Sequence, residues 1–337
     1  MKYRKLGRTG FEVSEIGHGL WGMSGWSGAD DEESRKALRL TAELGCNFFD
    51  TAWAYGDGKS DSLLGELLAE KRNGTQAGSG TGATAPASEL YAASKIPPLN
   101  RKWPASGQDK YTDVFPEAHV LKYAELIREK LGVAAIDVLQ FHVWDDAWAG
   151  EPEFRRTVER LKGEGKIRAF GLSLNRWEPE NGIAALRTGL VDAVQVIYNI
   201  FDQAPEDKLF PVCRELNIGV IARVPLDEGS LGGKLTRETK FPANDFRSRY
   251  FGPENLTATL ERVEKLKAIL PARMTLAEMA LRFILSNPIV STTIIGMRNL
   301  GHVRENLRMS DAGPLEAGLL AELKKHRWDR GPRPWSA

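Results

Sequence analysis

The sequence predicts a (β/α)8 barrel built as one domain over residues 1–337. Three observations carry that expectation. Short apolar runs alternate with longer amphipathic segments along the chain, the pattern of β–α–β units and a parallel sheet. Eight strand–helix pairs can be counted, the number that closes a barrel. The first strand lacks the glycine-rich phosphate turn that an open doubly wound sheet usually carries there. The length would suit two average domains, but barrels of this size run as single units.

Taken in order, residues 3–15 read as a hairpin around Arg8-Thr9-Gly10-Phe11, and 16–20 as the first barrel strand. Asp31-Glu32-Glu33 opens a helix reaching about Leu44, with the acidic first turn that helix N-termini favour. Further strands are expected at 46–50, 90–95, 136–142, 167–173, 191–198, 218–224 and 290–295. Helices are expected at 60–70, 117–131, 153–163, 178–188, 205–216, 255–269, 275–286 and 299–307. Residues 73–88 are rich in Gly, Thr, Ala and Ser. Their Gly78–Gly82 stretch resembles a phosphate loop, but it follows a helix and precedes a strand, the reverse of that loop's context. The segment is therefore expected to be a flexible linker on the bottom face, and residues 310–337 a C-terminal tail.

Composition narrows the partners. With 46 basic and 45 acidic residues the net charge is +1, so nothing draws the chain toward nucleic acid or a membrane surface. Cys46 and Cys213 are too few for a disulfide framework, and each stands in an apolar neighbourhood, so buried thiols are expected. The basic N-terminus has no apolar stretch behind it and no run approaches membrane-spanning length; a cytoplasmic setting is expected. The five histidines show no close ligand pair, and Asp145-Asp146 is only a weak carboxylate cluster, so no metal is expected. An oligomer is compatible with all of this.

In a barrel, chemistry sits at the C-terminal ends of the strands. Polar residues stand there almost every time: Asp50 with Tyr55 beyond it, Lys95, His142, Ser173 and Asn175, Gln195, Arg223, and Gly296-Met297-Arg298. Asp, Tyr, Lys and His together suit proton transfer to a carbonyl oxygen. A phenol is a reluctant acid at neutral pH, and a nearby ammonium lowers its pKa. Lys95 would be that cation, Asp50 would hold it by ion pairing, His142 would orient the carbonyl and Tyr55 would donate the proton. The hydride must come from a nicotinamide, because no side chain supplies one. Each residue has an ordinary alternative: a capping Asp50, a snorkelling Lys95, a core His142, a packing Tyr55. All four alternatives together would require four coincidences at neighbouring strand ends.

Asp50-Thr51-Ala52-Trp53-Ala54-Tyr55-Gly56, Ser94-Lys95, Leu139-Gln140-Phe141-His142, Gly171-Leu172-Ser173-Leu174-Asn175, Val194-Gln195 and Ile295-Gly296-Met297-Arg298-Asn299 with Glu305-Asn306 together resemble the aldo-keto reductase superfamily, in order over roughly residues 1–308. The resemblance implies NADPH-dependent reduction of an aldehyde or ketone, with Asp50, Tyr55, Lys95 and His142 catalytic. It implies a carboxamide clamp at Ser173, Asn175 and Gln195, groups that can satisfy every polar atom of an amide. Many relatives have adjacent Ser and Asn; here Leu174 separates them. Many also stack an aromatic ring on the nicotinamide where this chain has Arg223, whose guanidinium can stack on a ring or reach a phosphate.

The same resemblance implies that the long loop from Pro225 and Leu226 to about Asn255 would fold over the pyrophosphate, with Lys234 as a phosphate contact; loops as long as residues 228–255 are often lids or binding loops. Arg298 stands where the superfamily binds the 2′-phosphate, near Gly296 and the N-terminus of the last barrel helix. His302 replaces a common Arg or Gln and weakens that grip, while Glu305 and Asn306 resemble an adenine-contacting pair. Trp21, Trp53 and Trp144, with tail residues Trp328 and Trp335, are candidate walls for a small carbonyl substrate, and the 96–116 loop is expected to shape one side. An NADPH-binding sensor or regulatory subunit with little turnover would keep the same residues and is the alternative reading.

Overall fold

The structure, a computed structural model, describes residues 1–25, 28, 30–77 and 89–331. A two-stranded hairpin, β1 (Tyr3–Lys5) and β2 (Glu12–Ser14), precedes the barrel strands β3 (Ile16–Gly19), β4 (Phe48–Asp50), β5 (Tyr91–Ile96), β6 (Ile136–Phe141), β7 (Ile167–Ser173), β8 (Ala193–Ile197), β9 (Gly219–Arg223) and β10 (Val290–Gly296). These eight close in the order β10-β3-β4-β5-β6-β7-β8-β9, every pair parallel. The expected (β/α)8 barrel is the observed fold.

The strands are buried on both faces because helices cover the outside and side chains fill the inside. Phe48, Tyr91, Ala93, Val138, Ala169, Ala193, Ile221 and Ile294 pack with hairpin residues Leu6, Phe11 and Val13 as one buried cluster, so the hairpin plugs the barrel's lower end. That plug needs a glycine. A Cβ on Gly7, whose φ is +51°, would lie 2.2 Å from the Gly219 nitrogen; only a residue without one lets the turn touch β9. A larger apolar cluster running from Ile16 to Leu323 fills the layer between strands and helices.

Most helices stand where their apolar period puts them, including Glu117–Leu131, Pro152–Gly163 and Leu300–Leu307. Asp30 caps Asp31–Glu43 by accepting the Glu33 amide at 2.7 Å. Four expectations change. The helix expected at 60–70 runs over Lys59–Ala77, so 73–77 is helix rather than linker; Gly78–Gly82, and the rest of the segment to Ser88, lie outside the described residues. The helix expected at 178–188 is only Ile183–Arg187, after a run of turns through Glu178–Gly182. The 205–216 helix divides into Ala204–Glu206 and Leu209–Glu215. The tail folds, with helices Met309–Ala312 and Ala317–Lys324. Cys46 and Cys213 are buried free thiols. No helix among the described residues is long and apolar enough to cross a membrane.

Candidate active site

Strand alternation builds the site. Side chains two apart share a face, so strands whose lower residues fill the barrel must carry their last ones inward above them. Phe48 therefore leads to Asp50, Ala93 to Lys95, Val138 to Gln140, Ala193 to Gln195 and Ile221 to Arg223. Parallel register then sets Lys95 beside Gln140 and Ser173 beside Gln195. The result is a polar layer at the barrel's upper end, over an apolar interior.

Lys95 is wholly buried. Its ammonium donates to Asp50 Oδ1 at 2.5 Å and to the Thr51 carbonyl at 2.8 Å. The other Asp50 oxygen accepts from Gln195 at 2.7 Å and from Gln140 at 3.3 Å. Tyr55 returns to this cluster through a tight turn, in which its amide donates to the Ala52 carbonyl at 2.9 Å. The turn depends on Gly56, at φ +73°, where a Cβ would sit 2.6 Å from the Ser24 carbonyl oxygen. Lys95 Nζ lies 5.3 Å from the Tyr55 ring centre. The Tyr55 and His142 rings stand 5.8 Å apart at 76°. The four residues, from the ends of β4, β5 and β6, thus meet in one place.

Burial decides the protonation states. It holds the Tyr55 hydroxyl above the ordinary phenol range, although the Lys95 charge pulls the other way. The expected lowering by Lys95 is present, but desolvation of the phenolate outweighs it. His142 is pushed well below its ordinary value by burial, with the Lys95 and Arg223 charges adding to the effect, so it is a neutral imidazole at pH 7. Its Nδ1 is buried without a hydrogen-bond partner among the described residues. Burial and the nearby Arg176 bring the Arg223 guanidinium down to about 10.

The proposed cofactor residues divide. Ser173, Gln195 and Arg223 line the same end of the barrel as Asp50 and Lys95. The Ser173 hydroxyl makes no hydrogen bond to another described residue, and Gln195, with its amide nitrogen on Asp50, has its carbonyl oxygen left over. Arg223 donates to the Leu174 carbonyl at 3.0 Å, while its buried Nε has no partner among the described residues. These neutral donors and acceptors fit a carboxamide, and the orphaned Nε fits an acceptor from a ligand.

Asn175 is directed elsewhere. Its Oδ1 accepts the Ala105 N–H at 3.1 Å, and its Nδ2 donates to the Ala105 carbonyl at 3.2 Å and to Glu178 at 2.8 Å. Leu174, inserted between Ser173 and Asn175, is buried against Gly182. One extra residue past the strand end turns the amide toward the 96–116 loop.

Pro225 is buried and Leu226 half-buried in the turn after Arg223, while Lys234 is exposed beyond it. The long loop is more ordered than its composition suggests, holding the turn Asp227–Gly232 and the helix Arg247–Tyr250. Its Phe246 packs edge-on against Trp21 at 5.4 Å, so the loop spans from the β9 side to the β3 side. Arg298 extends across the same first loop, since a Cβ on Gly22 would lie 2.9 Å from its Cδ. Gly296 faces open space. His302, Glu305 and Asn306 stand on the exposed side of Leu300–Leu307, with the His302 amide capped by Asn299 at 2.8 Å.

Trp21 and Trp53 are half-buried at the rim. Trp144 is a correction. It is fully buried against Phe154 at 4.8 Å and Trp148 at 5.7 Å, so it belongs to the core beneath the rim. Trp103 stands at the rim instead, edge-on to His142 at 5.8 Å and 39% exposed. Sequence reasoning pointed to its loop but missed the residue, because a loop has no period to show which side chain turns inward. Gln140 was also missed, though its spacing of two from His142 was a usable signal. Trp328 packs edge-on against Phe201 at 6.1 Å, and Trp335 lies outside the described residues.

Residues 15–327 match the Aldo/keto reductase family. The chain is 29% identical over 324 residues to the Schizosaccharomyces pombe aldo-keto reductase yakc [NADP(+)], covering 92% of this chain and 88% of that protein. It is 26% identical over 348 residues to the NADH-specific methylglyoxal reductase of Escherichia coli, covering 96% and 98%. The holo structure of the Bacillus halodurans aldo-keto reductase AKR11C1 superposes with a TM-score of 0.75 over 100% of both chains, at 24% identity, a likeness of fold. A match of this span, on a barrel with this arrangement at its upper end, means that the chain belongs to the aldo/keto reductase family of nicotinamide-dependent carbonyl reductases.

Proposed function

We infer that the chain, acting as one domain, reduces an aldehyde or ketone at the expense of NADPH, with Tyr55 as the general acid. The observation that carries this reading is the buried Lys95–Asp50 pair lying 5.3 Å from the Tyr55 ring, facing a neutral His142. A bound nicotinamide supplies the hydride. The chain's own residues handle the proton. Tyr55, held in its neutral form by burial, donates its hydrogen to the carbonyl oxygen. Lys95 stabilises the phenolate that remains, and Asp50 keeps Lys95 in place. Neutral His142 offers a ring N–H to the same oxygen and orients the carbonyl without competing as an acid.

Ser173, Gln195 and Arg223 hold the carboxamide end of the cofactor, and Pro225, Leu226, Lys234, Gly296, Arg298, His302, Glu305 and Asn306 its phosphates and adenosine. The cofactor's form follows from Arg298, whose charge beside the last barrel helix favours a 2′-phosphate. One relative has NADP(+) in its name and another is NADH-specific, so the choice rests on this chain's own residues. Trp21, Trp53 and Trp103 supply apolar walls for a small carbonyl compound.

The test is consumption of NADPH and NADH with a panel of aldehydes and ketones, for the wild type and Tyr55→Phe. Loss of a general acid costs about 100- to 10,000-fold in kcat. Wild-type turnover by the variant overturns the assignment, and tight NADPH binding without consumption by either protein favours the sensor reading.

A further inference from the structure

The segment after β9 is bent in a way its residues resist. Val224, Asp227 and Glu228 all have positive φ, of 58°, 45° and 57°. None is glycine, and Val224 is β-branched, the type least suited to that region. Such a conformation persists only where its surroundings over-determine it.

The surroundings here are ionic and come from distant parts of the chain. Asp227 is wholly buried, and its carboxylate accepts from the Ser230 hydroxyl at 2.7 Å, from Tyr250 at 3.3 Å and from Arg330 at 2.8 Å. Glu228 accepts from Arg176 at 2.6 Å. Asn199 donates to the Val224 carbonyl at 3.0 Å and to Asp202 at 2.9 Å. Arg330 completes the frame, because the same Nη2 that meets Asp227 also pairs with Asp202. Its guanidinium lies 4.9 Å from the Trp177 ring and 4.8 Å from that of Trp328, with only 4% of the side chain exposed.

The tail reaches this point with its own anchors. The Trp328 amide donates to the Phe201 carbonyl at 2.8 Å, Gln203 donates to the Leu323 carbonyl at 3.0 Å, and Arg327 pairs with Asp207 at 2.6 Å. All three fix the tail to the segment after β8. Arg330 extends from there to the loop after β9, and a planar fork with several fixed donors is the side chain that can bridge two carboxylates.

We propose that Arg330 is a positioning residue that locks the 224–233 loop in its strained form and thereby sets how tightly the chain holds a nicotinamide dinucleotide. This rests on the reading that the loop after β9 belongs to the cofactor site. Arg330 lies 103 residues from Asp227 in sequence and acts only through the loop. Releasing the loop weakens cofactor binding while leaving the Tyr55 chemistry in place.

The experiment compares full-length wild type, Arg330→Gln and Arg330→Lys by amide hydrogen exchange without cofactor and by equilibrium binding of NADPH and NADH, followed through tryptophan fluorescence. Steady-state kinetics are measured alongside. Arg330→Gln is expected to speed exchange at 224–233, to raise the Kd and KM for the preferred dinucleotide about tenfold, and to change kcat by less than threefold. Arg330→Lys, which keeps the charge but not the fork, is expected to recover part of the affinity. Should Arg330→Gln fail to fold, the pair Arg330→Met with Asp227→Asn removes both charges together, and faster loop exchange is expected of it too. Unchanged loop exchange and unchanged dinucleotide affinity overturn the proposal. So does a parallel fall in kcat and thermal stability with no change in KM, which marks a purely structural ion pair. A wild type that binds neither dinucleotide overturns the functional reading itself, a result separable from failure of the Arg330 assignment.

Discussion

Asn175 closes on Ala105 from both sides, its amide oxygen taking the Ala105 N–H at 3.1 Å and its amide nitrogen reaching the Ala105 carbonyl at 3.2 Å. Two residues before Ala105 stands Trp103, edge-on to His142. The amide that sequence position assigns to the cofactor therefore anchors the loop that carries Trp103 beside His142.

Asn175→Ala separates the two roles. Two hydrogen bonds to one peptide unit contribute about 1–3 kcal/mol together. If Asn175 holds the Trp103 loop, the carbonyl substrate's KM rises about tenfold while the cofactor Kd stays within about twofold, by the same conversion. If Asn175 instead binds the carboxamide, the cofactor Kd rises and the substrate KM does not. Titrating each ligand separately decides between them.

Asp50→Asn leaves the Lys95 ammonium buried without its counter-ion. Both side chains are at most 2% exposed, so solvent cannot take over. Breaking such a pair costs about 3–5 kcal/mol of stability. A fall of that size in the unfolding free energy from urea denaturation, together with loss of turnover, is the expected result; an unchanged free energy contradicts the pairing.

Asp61 gives the chain a pH-dependent weakness. Its carboxyl is wholly buried, and one of its oxygens accepts from the Ser94 hydroxyl at 2.6 Å. Burial raises it from 3.8 to about 6. An acid raised on folding costs nothing below its unfolded pKa and weakens the fold as pH climbs through the folded value. The loss between pH 4 and pH 7 amounts to about 2 kcal/mol. Asp61→Asn is therefore expected to gain on the wild type by that order as the pH is raised over this range. His18, lowered to about 3 by burial, has the opposite slope, weakening the fold as pH falls below 6.5. It is common to both proteins and cancels in the comparison, which chemical denaturation at pH 4 and pH 7 supplies.

Trp144→Ala tests the corrected assignment. A fully buried Trp leaves a cavity that costs about 3–5 kcal/mol. The melting temperature is expected to fall without a change in which carbonyl compounds are reduced, whereas Trp103→Ala shifts that preference with little loss of stability.

Much of this protein can be read from its sequence. Strand and helix periods are local properties of the chain, and eight alternations closed by an N-terminal plug leave few alternatives to a barrel. The four residues proposed as catalytic were legible because Asp50, Lys95 and His142 each end an apolar run, and the fold then carries every run's end to one rim. What the sequence could not decide was direction beyond the strand ends. There the period-two rule stops, and side chains point where packing sends them. Asn175 turned to Ala105 because Leu174 took the buried position beside Gly182. Trp144 went into the core and Trp103 came to the rim for the same reason. The balance of charge was also tertiary: burial raises the Tyr55 hydroxyl and lowers the His142 ring, and Arg330 meets Asp227 only because the folded tail crosses from β8 to β9. Local periodicity fixes what each segment is; desolvation and long-range contact fix what its polar residues face.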